Sequence, residues 1–540
     1  MIATTRIVRF AVVTVASLMT YKPTSGTAAP SLRPDWDRYI QRVHVDFGNV
    51  GLAVAVVQED KVIYKQGFGV REAGKPEPID SDTLFQIGST TKAFTTAALA
   101  VLVDEGKVRW DDLITKYLPD FRLQDAYVTR HLTLRDAVSH RTGVPDSYYA
   151  YLTVMTPEEV IKHLRYIPQG SEFRDSFQYN NLMYALVGKV LEAASGMSWS
   201  EFVTERLLTP LKMTRSGTSA YQYWDRQYVA PAFFGSPSLT TVTSERARTV
   251  NVAMPHGLDE KGAVKVLPWV TFDNAAPAGS IVSSASDMAN WLILQANDGR
   301  FLGRQIVKKE TMRELHTSQN LRVPEPRAFP LDAIEGYSMG WFKGVYHGHI
   351  YLWHGGGMLG FPAYVALLPE EHIGVVVLSN GPEVITDDYK SHRAVAFWIL
   401  DRLLGAQQTD WRAEFLRLMH EDEAQRQKSE KQLQDSRLIN SSPTLAIHQY
   451  AGEYEDREYH AGHAVVRADG GRLILSFGEN AFEGYMEHWH ADIFRLHANA
   501  GGYDLLAPEF VSFTIDPAGK PTMLSLSSPF FKLTLDRIAQ

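Results

Sequence analysis

Apolar residues at the start of the chain either recur at helical spacing or run together in short blocks, and the first elements follow from that. Asp35 to Val43 predicts a short opening helix. Gly51-Leu-Ala-Val-Ala-Val-Val57 and Lys61-Val-Ile-Tyr-Lys65 are β-rich runs joined by Gln-Glu-Asp, which predicts a hairpin ended by Gly67-Phe-Gly69. A loop rich in Pro, Asp and Ser follows. Beyond it, Phe94, Ala97, Ala98, Val101 and Leu102 predict a buried helix that runs to about Glu105 and stops at Gly106. The pattern stays mainly helical to about residue 210. It is clearest over Leu182 to Ala194, before Gly196, and continues over Trp199 to Leu208.

Residues 215 to 275 mix aromatics, Pro and Gly with weak periodicity, and predict loops and short strands over a cleft. Ser284-Ala-Ser-Asp287 is capping-box-like and opens a helix over Met288 to Ala296. Tyr337-Ser-Met-Gly-Trp-Phe, His349-Ile-Tyr-Leu-Trp353, Ala363 to Leu368 and Gly374 to Ser379 then read as consecutive strands. Their breaks are short, so an antiparallel meander is expected, closed by an amphipathic helix over Ala394 to Leu404. Trp411 to Leu438 is a charge-dense helical run, read as a solvated link ending at Asn440-Ser-Ser-Pro443. From Thr444 short β-like runs alternate with turns such as Asp469-Gly-Gly, enough for a small sandwich or barrel. The expected class is α+β: an antiparallel sheet flanked by helices, a helical subdomain, then a small all-β domain.

Composition narrows the function. At 540 residues the chain is expected to hold two or three domains. Its net charge of -8 and the lack of a long basic run argue against a nucleic-acid partner. There is no cysteine, which excludes disulfides, thiolate zinc sites, a cysteine nucleophile and a lipid anchor on an N-terminal cysteine. Residues 1–29 read as an export signal. Arg6 and Arg9 precede the apolar stretch Phe10 to Met19, and small residues Gly26-Thr-Ala-Ala29 come before Pro30. That stretch is shorter than the roughly 20 residues a spanning helix needs, so no stable membrane insertion is expected, with an uncleaved membrane anchor the lesser alternative. The expected location is periplasmic or secreted.

Three stretches carry chemistry. In Phe85-Gln-Ile-Gly-Ser-Thr-Thr-Lys92, Ser89 and Lys92 share one helix face about one turn apart. Serine needs a neighbour to take its proton, and a desolvated lysine amine can do so. In Phe177-Gln-Tyr-Asn-Asn-Leu-Met183, Tyr179 and Asn181 stand two apart on a predicted loop and can point into one cleft. Phenol can pass a proton while the amide fixes a carbonyl or the lysine. In Trp353-His-Gly-Gly-Gly-Met358, glycines at a strand end let backbone N–H groups approach a ligand, as an oxyanion hole requires. There is no Gly-x-Ser-x-Gly elbow. The pairs His347/His349, His460/His463 and His488/His490 lack a carboxylate at ligand spacing and read as surface histidines, so neither metal nor cofactor is expected. Trp110, Trp291 and Trp353 read as core or cleft wall.

Ser-x-x-Lys, then Tyr-x-Asn, then His-Gly-Gly, in this order and spacing, resembles the serine β-lactamase and penicillin-binding-protein superfamily, class C β-lactamase type (peptidase family S12). Leu134 to Pro145, Pro277 to Met288 and Gly374 to Gly381 agree with it. The tail resembles a lipocalin-like domain. The resemblance covers roughly residues 35 to 405, and the domain reading is a signal peptide at 1–29, a serine hydrolase domain at 30–407, a charged linker at 408–442 and a lipocalin-like β domain at 443–540. It implies Ser89 as acylated nucleophile, with Lys92 and Tyr179 sharing the base work and Tyr179 protonating the leaving group. Asn181 would position the substrate amide and Lys92. The N–H groups of Ser89 and Gly357 would form the oxyanion hole, beside His354, Gly355 and Gly356 of the third motif. Many relatives carry Lys-Thr-Gly there; His354-Gly-Gly lacks the lysine and the hydroxyl. The implied activity is acyl-enzyme hydrolysis of peptide or amide bonds beside D- or unusual residues, of D-aminopeptidase, D-Ala carboxypeptidase or linear microcystin peptidase type. A carboxylesterase or β-lactamase is the alternative within the fold, and a non-catalytic penicillin-binding sensor the alternative of another class. The expected partner is a small peptide or ester, and a homo-oligomer is compatible with the reading.

Overall fold

The computed structural model describes residues 34–146, 155–224, 229–230, 250–259, 261–321, 331, 333–382, 391–456, 463–477, 482–499, 510–527 and 532–538. The export-signal stretch 1–29, His460 and most of the region 225–249 lie outside the described residues.

A seven-stranded antiparallel sheet organises the first part. The opening helix α1 (Pro34–Asp46) leads into β1 (Gly51–Gln58) and β2 (Lys61–Gly69). The other strands arrive late in the chain: β3 (Ala333–Tyr337), β4 (Phe342–Tyr346), β5 (His349–Met358), β6 (Phe361–Leu368) and β7 (Ile373–Ser379). Their order is β3-β4-β5-β6-β7-β1-β2, so the hairpin at the N-terminus zips onto the meander at Leu52 opposite Ser379. The central strands are buried on both faces, which is why β1 and β7 read as continuous apolar runs rather than alternating ones. Val54, Val56, Val375 and Val377 pack with Trp36, Tyr39 and Trp398 on one side. Ala53, Ala55, Val57, Val376 and Leu378 pack with Phe94 and Trp291 on the other.

The run Tyr337 to Phe342, expected as one strand, instead ends β3 at Tyr337, turns, and opens β4 at Phe342. Gly340 takes a φ of 86° there, and an added Cβ would stand 2.9 Å from the Ala93 backbone, so the chain reverses where the serine helix docks. The expected helix after residue 90 is α2 (Thr91–Asp104). It is buried from Thr91 through Leu102, because it runs through the interior between sheet and helices rather than along the surface. Its neighbour α3 (Asn181–Ser195) starts at Asn180, whose side chain accepts from the Met183 N–H, and stops at left-handed Gly196. Helix α4 (Ala285–Ala296) is capped by Ser284 and lays Trp291 flat on Phe94, ring centroids 3.7 Å apart. Trp110, Trp291 and Trp353 are all core.

Helix α5 (Ser391–Leu404) covers the outer face, and α6 (Trp411–Asp435) follows. Only the start of α6 is buried, at Trp411 and Phe415; Trp411 Nε1 donates to buried Asp401 at 2.8 Å. The rest is charge-laced and exposed. At its far end Glu430 pairs with Arg495, and Arg437 donates to the Trp489 carbonyl at 3.1 Å, so the helix is tied to the C-terminal domain.

That domain is a closed antiparallel barrel of β8 (Gly452–Glu455), β9 (His463–Asp469), β10 (Arg472–Phe477), β11 (Phe482–His490), β12 (Ile493–Asn499), β13 (Phe510–Ile515), β14 (Pro521–Ser527) and β15 (Lys532–Arg537), with strands paired in chain order. Its interior is filled by rings: Phe513 lies 4.9 Å from Tyr450 and 5.7 Å from Phe494 between centroids. Among the described residues no helix is long and apolar enough to cross a membrane.

Candidate active site

Ser89 sits on a short 3₁₀ turn (Gly88–Thr90) that runs straight into α2, so the serine is presented at the mouth of a buried helix. Lys92, in the first turn of α2, is fully buried, and its Nζ lies 3.1 Å from Ser89 Oγ. The same nitrogen is 2.5 Å from Asn181 Oδ1 and 3.0 Å from the Ala278 carbonyl oxygen. Tyr179 and Tyr184 present their ring faces to it, 4.7 and 5.3 Å from Nζ to each centroid. Burial lowers the Lys92 pKa to about 7, against a smaller upward pull from the Asp146 carboxylate. A lysine with that pKa is substantially neutral near pH 7 and can accept a proton from the serine.

Tyr179 and Asn181 are brought to the same place, although not from one loop. Tyr179 precedes the cap of α3, whereas Asn181 is the first residue of that helix. Asn180 between them faces the other way, its amide donating to the carbonyls of Val144 and Pro145 at 2.9 Å each.

The third motif lies on β5, alongside the Ser89 turn. An added Cβ on Gly88 would stand 2.6 Å from Gly357 N, and one on Gly356 only 2.0 Å from the Ile87 carbonyl oxygen. The two backbones therefore touch, and Gly357 N–H is carried beside Ser89. Gly355 differs, because a Cβ there would meet nothing within 4 Å. Gly356→Ala is therefore expected to push the Ser89 turn out of place, costing about 1–3 kcal/mol of stability and most activity. Gly355→Ser should leave the melting temperature and the labelling of Ser89 intact. Thermal melts and active-serine labelling of the two variants check this contrast.

His354 is buried and committed inward. Its Nδ1–H donates to the Gly355 carbonyl at 2.6 Å, and its Nε2 accepts from Tyr337 OH at 3.1 Å. Desolvation, then repulsion from Lys92, lowers its pKa to about 3. The ring is neutral throughout the physiological range, so it offers no cation where relatives carry a lysine.

Three neighbours were not singled out from the sequence. Asp146 Oδ2 accepts from Asn181 Nδ2 at 2.8 Å and its Oδ1 from the Asn181 backbone N–H at 3.2 Å. It stands one residue beyond the Leu134 to Pro145 stretch. His140, at left-handed φ of 57°, accepts the Asn180 N–H on Nδ1 at 3.1 Å and is held neutral by burial. Ala278 contributes only a carbonyl, which no side-chain pattern could reveal. Of the histidine pairs, His347 faces Asp401 and His349 faces Glu371.

Residues 36–397 match the family model described as Beta-lactamase. The chain belongs to the Beta-lactamase family. Members of this fold family are serine hydrolases, and a β-lactamase-like domain is what the sheet, α2 and α3 build here. Residues 437–537 match a second model, a domain of unknown function, DUF3471. Among curated proteins, Unguisins hydrolase ungD of Aspergillus violaceofuscus is 25% identical over 506 residues, 88% of this chain and 84% of its own length. Protein flp of Staphylococcus aureus is 21% identical over 63% of this chain and 61% of its own. Among solved structures, the octameric penicillin-binding protein homologue from Pyrococcus abyssi superposes with a TM-score of 0.56 at 22% identity, covering 92% of this chain and 99% of that one. A class C β-lactamase from Rhodobacter sphaeroides (TM-score 0.51, 20% identity, 69% and 99% covered) and the D-amino acid amidase of Ochrobactrum anthropi SV3 with L-phenylalanine amide (0.51, 20%, 72% and 99%) share the fold of the first domain.

Proposed function

We propose that the protein is an exported serine hydrolase that cleaves amide bonds through an acyl-enzyme on Ser89, in peptides containing D- or other unusual residues. The observation that carries this reading is the fully buried Lys92 amine, 3.1 Å from Ser89 Oγ and poised near neutrality. Ser89 Oγ attacks the carbonyl carbon while its proton passes to Lys92 Nζ, with Tyr179 sharing that work. The N–H groups of Ser89 and Gly357 receive the developing oxyanion. Tyr179 then delivers a proton to the leaving amine, and water releases the acyl group by the reverse route. Asn181 holds Lys92 and the substrate amide.

The inward, neutral His354 supports a substrate whose scissile amide is internal to a chain or ring. A D-Ala carboxypeptidase or β-lactam substrate places a carboxylate near the reacting carbonyl, and a neutral histidine does not hold one. The relative named as an unguisins hydrolase and the D-amino acid amidase neighbour fit an amidase reading. Arg6, Arg9 and the apolar Phe10 to Met19 support export, and the sequential eight-stranded barrel supports a lipocalin-like tail.

The test is turnover by full-length protein, with Ser89→Ala as control. Its substrates are L- and D-aminoacyl amides, one D-residue-containing peptide in linear, cyclic and C-terminally amidated forms, short acyl esters and a chromogenic cephalosporin. Serine-dependent cleavage of amidated or cyclic peptide with slow cephalosporin turnover is expected. Ester cleavage alone would move the protein to the carboxylesterases, and fast cephalosporin turnover would overturn the role given to His354.

A further inference from the structure

We infer that Asp146 is a positioning residue for the Ser89 chemistry, gripping Asn181 so that its amide oxygen faces Lys92. The inference rests on the reading of Ser89 and Lys92 as the acylating pair.

An asparagine amide offers an oxygen at one end and an NH₂ at the other, and the two half-turn orientations fill nearly the same space. The partner decides between them. An ionised carboxylate only accepts, so the end of Asn181 that lies 2.8 Å from Asp146 Oδ2 is Nδ2. The other carboxylate oxygen takes the Asn181 backbone N–H at 3.2 Å. That N–H is one of the donors left without a helical partner at the start of α3, so the contact caps the helix as it fixes the side chain.

The consequence appears at Lys92. A neutral amine has two N–H bonds and one lone pair. Asn181 Oδ1 and the Ala278 carbonyl oxygen can only accept, so together they take both N–H bonds. The lone pair is left for the remaining neighbour, Ser89 Oγ. Were Asn181 turned over, its NH₂ would face Lys92 and draw the lone pair away from the serine. Asp146 thus sets the direction of the base without touching the substrate.

Charge adds a second signature. Lys92 is faced by Ser89 from its own turn, by Tyr179, and by Asn181 and Tyr184 of α3. His140 and Asp146 face it from the loop before residue 147, and His354, hydrogen-bonded to Tyr337 of β3, faces it from β5. Both histidines are held neutral by burial, while the Asp146 carboxylate favours the protonated lysine.

The experiment is the second-order rate of Ser89 labelling by a fluorophosphonate probe from about pH 5 to 9. It uses full-length wild type, Asp146→Asn, Asp146→Ala, Asn181→Ala and the Asp146→Ala/Asn181→Ala double variant. Asp146→Asn loses the charge, and its one amide oxygen can accept from Nδ2 but not also from the Asn181 backbone N–H, so its acid-side midpoint is expected to fall by about half to one pH unit. Asp146→Ala should slow labelling about tenfold alone, yet less than about twofold in the Asn181→Ala background, because its effect runs through Asn181. An unmoved midpoint in Asp146→Asn, or the same loss with and without Asn181, would overturn the inference. The near-isosteric Asp146→Asn keeps the test decisive if the alanine variant fails to fold. Absence of Ser89 labelling in wild type would instead sink the acyl-enzyme reading beneath it.

Discussion

Lys92→Met is expected to slow acylation of Ser89 by about 10²- to 10⁴-fold, the range a positioned general base contributes. Methionine has nearly the same length and fills the same buried channel between α2 and α3, so the sheet and helices are expected to remain. What disappears is the nitrogen that faces Ser89 Oγ, Asn181 Oδ1 and the Ala278 carbonyl oxygen. Fluorophosphonate labelling and amide turnover should fall together, because the loss lies in the transition state for acylation rather than in substrate binding. A variant that kept more than about a tenth of the wild-type labelling rate would transfer the base role to Tyr179.

The second large effect concerns stability, and its sign follows from the same buried amine. Lys92 has a pKa of about 7 in the folded chain against an ordinary value of 10.5. Between those values the unfolded chain binds a proton that the folded chain does not, so stability rises with pH across that window. The slope is about 1.4 kcal/mol per pH unit, up to about 5 kcal/mol in all. Below pH 7 both forms are protonated, and the penalty of a buried ammonium is carried in full. Lys92→Met removes this dependence. The melting temperature of wild type relative to Lys92→Met, followed for the transition that abolishes labelling, should therefore rise steadily from pH 7 to pH 10. Parallel curves for the two proteins would show that the amine is solvated and charged.

Much of this arrangement was legible beforehand because it rests on local pattern. The β1–β2 hairpin, α2, the α4 cap at Ser284 and the strands before α5 follow from periodicity and turn residues, which act within a few positions of one another. Tyr337 to Phe342 did not, because a β-rich stretch becomes a turn only when Gly340 must clear the Ala93 backbone from a distant part of the chain. The site shows the same division. Ser89 and Lys92 lie one turn apart on a helix face, so their meeting needs no tertiary information. Tyr179 and Asn181 could be proposed for the same cleft, but not that a helix begins between them.

By itself, then, the amino-acid sequence determined the α+β class, the all-β tail, the Ser-x-x-Lys pair, and a third motif with histidine in place of lysine. Only the tertiary structure decided what that histidine is: a neutral ring turned inward to Gly355 and Tyr337, because burial beside Lys92 penalises its charged form. It alone joined Asp146 to Asn181 and carried the Gly357 backbone beside Ser89. The reason is physical. A helix face or a capping residue is set by near neighbours, whereas a pKa and the direction of a lone pair depend on whatever the folded chain packs around a group, from any distance along the sequence.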